Sequence, residues 1–327
     1  MRITIILFSI VILIAVAFVP ITQFVPVSVY ATKPHSRHCG CLTGNFTVGG
    51  SPYGVGVNPI THMVYFANHF TNTVSVADGE NNTVVATISV GSGPYGVAVD
   101  DVTNMIYVTN TNSGTLSVIS GSNNTVVATL HVGQSPIGVG VDTVTDMVYV
   151  AAEAVVVVSG SNNTIVDHLL LGFGANFVAV NSITDTVYVT TAVNGVSVIS
   201  GANNTVIARV HVGIAPSFIA VDSRTNMIYT ADTESNTVTA ISGETNSVVA
   251  TIPVGQNPFG IDTDAKKNLV YVANEDSQNV TVISGRSNTV IETIALQYHP
   301  TGVGVDPATG RVYVASFPAT IFVISGP

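Results

Sequence analysis

An all-β ring of seven repeated four-stranded units is what this sequence predicts, and three observations predict it. A Tyr inside a short apolar phrase recurs at Tyr65, Tyr107, Tyr149, Tyr188, Tyr229, Tyr271 and Tyr313, at spacings of 42, 42, 39, 41, 42 and 42 residues. Each period holds four apolar or β-branched runs bounded by Gly, Asn, Asp, Ser or Pro. Charged residues make up only 9% of the chain against 46% hydrophobic ones, and the scarcity of helix formers beside abundant Val and Thr biases the chain toward strands. Regular patterning separates this composition from that of a disordered chain. Units of ~40–45 residues with four strands, arranged radially, make a β-propeller. Because the repeat runs from residue 52 to the end, one closed unit is expected rather than two domains.

Residues 1–31 are a different text. Arg2 precedes "ITIILFSIVILIAVAFV", an apolar run without a charge, and small residues follow that suit cleavage after Ala31. The run is longer than a ~7–15-residue signal core and shorter than the ~20 residues of a spanning helix, so residues 1–31 are expected to be a signal peptide or an uncleaved N-terminal anchor. Either assignment exports the rest of the chain and predicts an extracellular or cell-surface location, with membrane contact only through an uncleaved N-terminus. Six N-x-S/T sequons fit that location as glycosylation candidates: Asn45, Asn81, Asn123, Asn162, Asn203 and Asn279. Residues 32–41 form a linker whose "HSRHCGC" gathers His35, His38, Cys39 and Cys41. Two thiolates and two imidazoles are an adequate set for copper or zinc, while C-x-C in an oxidising compartment also suits a local or intermolecular disulfide. No other cofactor is predicted.

The propeller is assigned to residues 42–327. In the unit at residues 94–133 the runs "GVAV", "MIYV", "TLSVI" and "TVVATLHV" read as a four-stranded antiparallel meander. Its first turn opens with a side-chain acceptor, at Asn58, Asp100, Asp142, Asn181, Asp222, Asp264 and Asp306 around the ring, able to bond N–H groups two or three residues on. The same turn closes on His62, Asn104, Asp146, Asp185, Asn226, Asn268 and Gly310, types that tolerate a left-handed backbone. The third turn repeats the device at Asn82, Asn124, Asn163, Asn204, Asn246 and Asn288. Turn chemistry accounts for these rings of Asp and Asn without a metal. Blades crowd near an axis, so the innermost strand should carry small residues: Gly56, Ala98, Gly140, Ala179, Ala220 and Gly304 share a slot from which only Asp262 departs. The seventh unit stops at "VISGP" without a fourth strand, and an orphan strand stands at about residues 42–48. Pairing the two closes the ring and removes open edges.

The phrases "YFAN", "YVTN", "YVAA", "YVTT", "YTAD", "YVAN" and "YVAS", each preceded by a "GV-V-D" pattern, resemble the YVTN-repeat β-propellers over roughly residues 44–327. That family includes archaeal surface-layer proteins and bacterial secreted or periplasmic propellers. The resemblance implies a secreted or surface-exposed scaffold, and with no catalytic set tied to the repeat it leaves the ligand open.

The meander places first and third turns on one face, where the sequons at Asn81, Asn123, Asn162 and Asn203 would sit. The opposite face carries the inter-blade loops and second turns. There Tyr53, Tyr95 and Phe259 share a slot near the axis, with Phe177 and Phe218 one residue further on. Such rings stack on sugars or on apolar side chains of a partner, or else plug the channel mouth. Asp262 and His299 are the one ionisable pair expected near the axis, short of a catalytic mechanism and consistent with a channel-facing Asp. The other histidines do not gather, and no GxSxG, HExxH or phosphate-binding loop occurs. From residue 44 onward, Arg209, Arg224, Lys266, Lys267, Arg286 and Arg311 face nineteen acidic residues, a formal charge of −13 that repels phosphate and argues against nucleic acid. The reading is therefore a non-catalytic binding scaffold, of surface-layer, adhesion or envelope type, with a protein or glycan partner at the cell surface. Its rival is a secreted propeller enzyme, a lyase, lactonase or quinoprotein-like dehydrogenase, with an active site on the axial face.

Overall fold

The computed structural model describes residues 40–193 and 195–326. The segment 1–31 and the candidate ligands His35, His38 and Cys39 lie outside the described residues; Cys41 lies exposed at the head of the first strand.

Seven four-stranded antiparallel sheets follow one another along the chain. Six are simple meanders from one segment each; blade 1, for example, runs Pro52–Val57, Met63–Asn68, Thr73–Asp78 and Thr83–Ser89. The seventh takes Pro300–Asp306, Arg311–Ser316 and Thr320–Ser325 from the C-terminus and its outermost strand, Cys41–Thr47, from the other end of the chain. That closing strand pairs antiparallel with the last one, Asn45 opposite Phe322 and Thr47 opposite Thr320. The expected closure is thus present, and it begins one residue earlier than the sequence suggested.

A blade buries both of its faces, so hydrophobic packing runs across the seams between blades. Each of the seven seams has its own apolar cluster. At the seam between blades 7 and 1, Val64 and Phe66 meet Tyr313, Ala315, Ile321 and Val323, with Phe46 of the closing strand packed against them. All seven repeat tyrosines are fully buried in the second strands. Burying one such ring contributes roughly 1.5–3 kcal/mol, which is why the period is written around this residue.

The turns behave as their chemistry requires. His62, Asn104, Asp146, Asp185, Asn226, Asn268 and Gly310 all have φ between 49° and 72°. Asn82, Asn124, Asn163, Asn204, Asn246 and Asn288 are left-handed too. At the start of the first turn, Oδ1 of Asp100 accepts the N–H groups of Val102 and Thr103, and Asp142, Asp222, Asp264 and Asp306 repeat the pattern.

The small slot of the innermost strand has a more specific cause than general crowding. It points across the seam: a Cβ added at Gly56 would lie 2.6 Å from Val97 Cγ1, and one at Gly304 2.5 Å from Val55 Cγ1. The next blade's first strand, not the axis itself, limits its size.

Candidate functional site at the axial mouth

First and third turns share one face: the Gly79 N–H of a third turn donates to the first-turn carbonyl of His62, and Gly121 does the same to Asn104. The sequons at Asn81, Asn123, Asn162 and Asn203 lie exposed there, Asn45 is exposed on the closing strand, and Asn279 is half-buried. Asn279 is committed locally, since its Oδ1 accepts from Asn274 Nδ2 and its Nδ2 donates to the Ser277 carbonyl. The other face joins second turns to inter-blade loops, as where His69 N–H donates to the Ser51 carbonyl and Glu275 N–H to that of Asn257.

On that second face the five predicted aromatic residues come together. Tyr53 stacks on Tyr95, ring centroids 4.7 Å apart and 15° from parallel. Tyr95 meets Phe177 at 6.2 Å, Phe177 meets Phe218 at 4.0 Å, Phe218 meets Phe259 at 5.3 Å, and Phe259 returns to Tyr53 at 6.4 Å. The circuit closes over the axis, with one pair stacked, two tilted and two edge-on. Phe177 is buried, and Tyr53, Tyr95, Phe218 and Phe259 are half-buried.

Backbone contacts hold this circuit in place. In five blades the residue that would clash is a glycine: a Cβ at Gly54 would come 2.2 Å from the Tyr95 carbonyl, and one at Gly302 1.8 Å from that of Tyr53. Hydroxyls tie the ring-bearing segments together across the seams. Thr190 accepts the Phe177 N–H at 3.0 Å and donates to the Ser217 carbonyl at 3.1 Å. Ser217 donates to Phe259 O, also at 3.1 Å, and Thr301 to Pro52 O at 2.7 Å. Buried polar groups of this kind cost about 1–3 kcal/mol if left unpaired, so the loops are fixed in register rather than free to open.

Beneath the rings lies an axial cavity of about 140 Å³, lined by Val55, Val97, Val139, Val178, Ile219, Ile261, Val303 and Asp262. It is smaller than the ~300–1,000 Å³ typical of small-molecule sites. Asp262 is its carboxylate: Oδ1 accepts the Thr263 N–H and Oδ2 the Val305 N–H of the next blade, both at 2.8 Å. Burial pushes its carboxyl up to about 6, against the pull of those two bonds.

The structure does not unite Asp262 with His299. His299 is exposed on the loop before blade 7, its ring bonded to the Glu275 carbonyl at 3.0 Å and facing Gln278 Nε2 at 3.3 Å. Asp262 sits below the aromatic circuit, engaged with backbone. The expected pairing fails because the carboxylate turns inward to the next blade while the loop carries the imidazole outward.

Two rim residues were not anticipated. His69 sets its ring edge-on to Tyr53 and Tyr95, at 5.5 and 5.9 Å. Glu275 is raised above the usual carboxylate range by burial and by Asp276, with His299 opposing, and burial first and then the Glu275 charge raise the Tyr53 hydroxyl. Both occupy the position right after "YFAN" or "YVAN"; aligning that position across blades would have placed them on the rim.

A family model described as "Lactonase, 7-bladed beta-propeller" matches residues 186–312, from the second strand of blade 4 to that of blade 7. The similarity spans less than half of the chain and agrees with the seven blades seen in the fold. No curated protein matches.

Proposed function

We propose that this protein is an exported, non-catalytic binding propeller of the YVTN-repeat type, which presents its axial mouth to a protein or glycan partner at or beyond the cell surface. One observation carries the reading: the axis, where propeller enzymes place their chemistry, is closed by five packed aromatic rings, and the carboxylate below them is held by two backbone N–H groups. Tyr53 and Tyr95, with His69, Glu275 and His299 on the rim, form a rigid amphipathic patch that suits docking of a partner's polar and apolar groups together. The acidic balance of the chain disfavours nucleic acid as that partner. Export, glycosylation at the third-turn sequons, and metal binding by His35, His38, Cys39 and Cys41 belong to the same proposal as features of a surface protein.

Screening the mature chain against glycan and peptide arrays, with Tyr53→Ala and Tyr95→Ala as controls, tests this reading. Binding that both substitutions abolish while the fold persists supports it; binding indifferent to them moves the site elsewhere. The lactonase match favours a second reading, hydrolysis at the same axial face. Turnover of any member of a lactone panel, lost in Asp262→Ala, would replace the binding proposal with that one.

A further inference from the structure

In four blades one side chain fills the corner where the second turn meets the loop arriving from the preceding blade. The second strand ends there on Asn68, Asn110, Asp232 or Asn274, and that residue bonds a hydroxyl of the third strand. Asn110 Nδ2 donates to Ser117 Oγ at 2.9 Å and Asn274 Nδ2 to Thr281 Oγ1 at 2.8 Å, while Thr239 Oγ1 donates to Asp232 at 2.6 Å and Asn68 meets Ser75 at 2.9 Å. The arriving loop makes room with a glycine: a Cβ at Gly91, Gly213 or Gly255 would lie 2.6 Å from Asn110, Asp232 or Asn274 respectively.

Blade 4 departs from this pattern. Its second strand ends on Thr191, whose hydroxyl turns back to the Gly195 carbonyl at 3.2 Å. Ser197, in the slot of Ser117, is 2% exposed, and its hydroxyl has no hydrogen-bond partner among the described residues. Gly172, in the slot of Gly91, has nothing within 4 Å of its Cβ position. The corner is left as a cavity of about 260 Å³, with Phe173, Thr191, Val193, Ser197, Arg209 and His211 among its walls.

Arg209 is the second departure. It pairs across the strands with Ser197, where blades 1, 2, 5 and 6 place Thr87, Thr129, Thr251 and Thr293. Its Nη2 donates to the Leu171 carbonyl at 2.9 Å, and its guanidinium lies 5.9 Å from the centre of the exposed Phe173 ring. In a chain with nineteen acidic residues, no carboxylate stands within ion-pair reach of it among the described residues.

We propose that this corner of blade 4 binds a small monocarboxylate with an apolar tail, its carboxylate between Arg209 and Ser197 and its tail against Phe173 and Val193. A guanidinium carries five N–H donors in a planar fork that matches a carboxylate, and one bond to a backbone carbonyl leaves the others to give. That bond and the Phe173 ring also fix the side chain in advance, which lowers the cost of ordering it on binding. A buried hydroxyl is costly to leave unpaired, and a carboxylate oxygen would accept the Ser197 O–H. One guanidinium balances one negative charge, so a phosphate dianion would add uncompensated charge to an already acidic chain. The volume is just under the ~300 Å³ at which drug-sized sites begin, which suits a short alkyl chain or a single ring. Because its walls come from the outer two strands and the arriving loop, the site is separate from the axial mouth, whose cavity is lined by first strands.

Titration calorimetry of the full chain with hexanoate and 3-phenylpropionate tests this, with acetate, hexanol and inorganic phosphate for comparison. Both acids should bind saturably with Kd of about 1 mM or tighter, and acetate and hexanol, lacking the tail or the charge, about tenfold or more weakly. Arg209→Thr, which installs the residue of four other blades, should weaken hexanoate by about tenfold or more. Thr191→Asn, which restores the filled corner, should abolish binding without lowering the melting temperature. No saturable binding of either acid overturns the proposal, and so does binding that Arg209→Thr leaves unchanged or that phosphate matches. If a variant does not fold, amide shifts of the parent decide. Hexanoate that moves Phe173, Ser197 and Arg209 but not the equivalent Ser117 and Thr129 supports the site, and shifts that leave Ser197 and Arg209 in place contradict it.

Discussion

At the scale of single residues, the repeat tyrosines separate packing from hydrogen bonding. Tyr313 Oη donates to the Gly79 carbonyl at 2.9 Å, whereas the hydroxyls of Tyr65, Tyr107, Tyr149, Tyr188, Tyr229 and Tyr271 are buried with no partner. Tyr188→Phe should therefore leave thermal stability unchanged or raise it, while Tyr313→Phe should lose about 1 kcal/mol; denaturant melts of the two variants check the contrast. Asp262 gives a pH signature of its own. Its carboxyl titrates at about 6, above its unfolded value, so it holds its proton in the native state where the unfolded chain has released it. That contribution is present at low pH and is lost as pH rises through about 6. Between about pH 4.5 and pH 7.5 the parent should lose up to ~3 kcal/mol more stability than Asp262→Ala, measured as the difference of their unfolding free energies. Turn residues were legible at this scale because a left-handed φ restricts the side chain locally: Asn104 or Asn163 declares its conformation without reference to neighbours. The bond from the Val305 N–H to Asp262 was not, since it depends on how one blade abuts the next.

Strands and loops carry a different kind of information. The four runs of each period mark strands directly, and the three-run last unit together with the extra run at residues 42–48 makes the closure legible in the sequence. The direction of the inner-strand slot was hidden, because a small residue reads alike whether it faces an axis or a neighbouring sheet. The aromatic circuit lay between these cases. A shared slot placed Tyr53, Tyr95 and Phe259 on one face, but ring tilt and stacking come from the loop register that Thr190, Ser217 and Thr301 fix. Gly302 is the most demanding position in that register, with the Tyr53 carbonyl in the place of its missing side chain. Gly302→Ala should cost about 3 kcal/mol or more by forcing blades 7 and 1 apart, read as a drop in melting temperature. The same substitution at Gly44, with nothing within 4 Å of its Cβ position, should be nearly neutral.

For the whole molecule, stability is a circular sum of seven similar seams, and a ring is only as closed as its last joint. Five seams lie between blades built from contiguous segments; blade 7 enters the other two, and the one it shares with blade 1 also draws on Phe46 from the closing strand. Function reads least well at this scale, since a repeat that encodes packing says little about what its axial face meets. The closing strand, by contrast, makes a sharp statement about the intact protein. Hydrogen exchange along Thr320–Ser325 measures it most directly, because these amides are interior if Cys41–Thr47 covers them and a bare sheet edge if it does not. Protection matching that of the third strands Thr73–Asp78 and Thr115–Ser120 is the predicted result. Alternate amides exchanging as fast as those of an exposed outermost strand such as Thr83–Ser89 would contradict it.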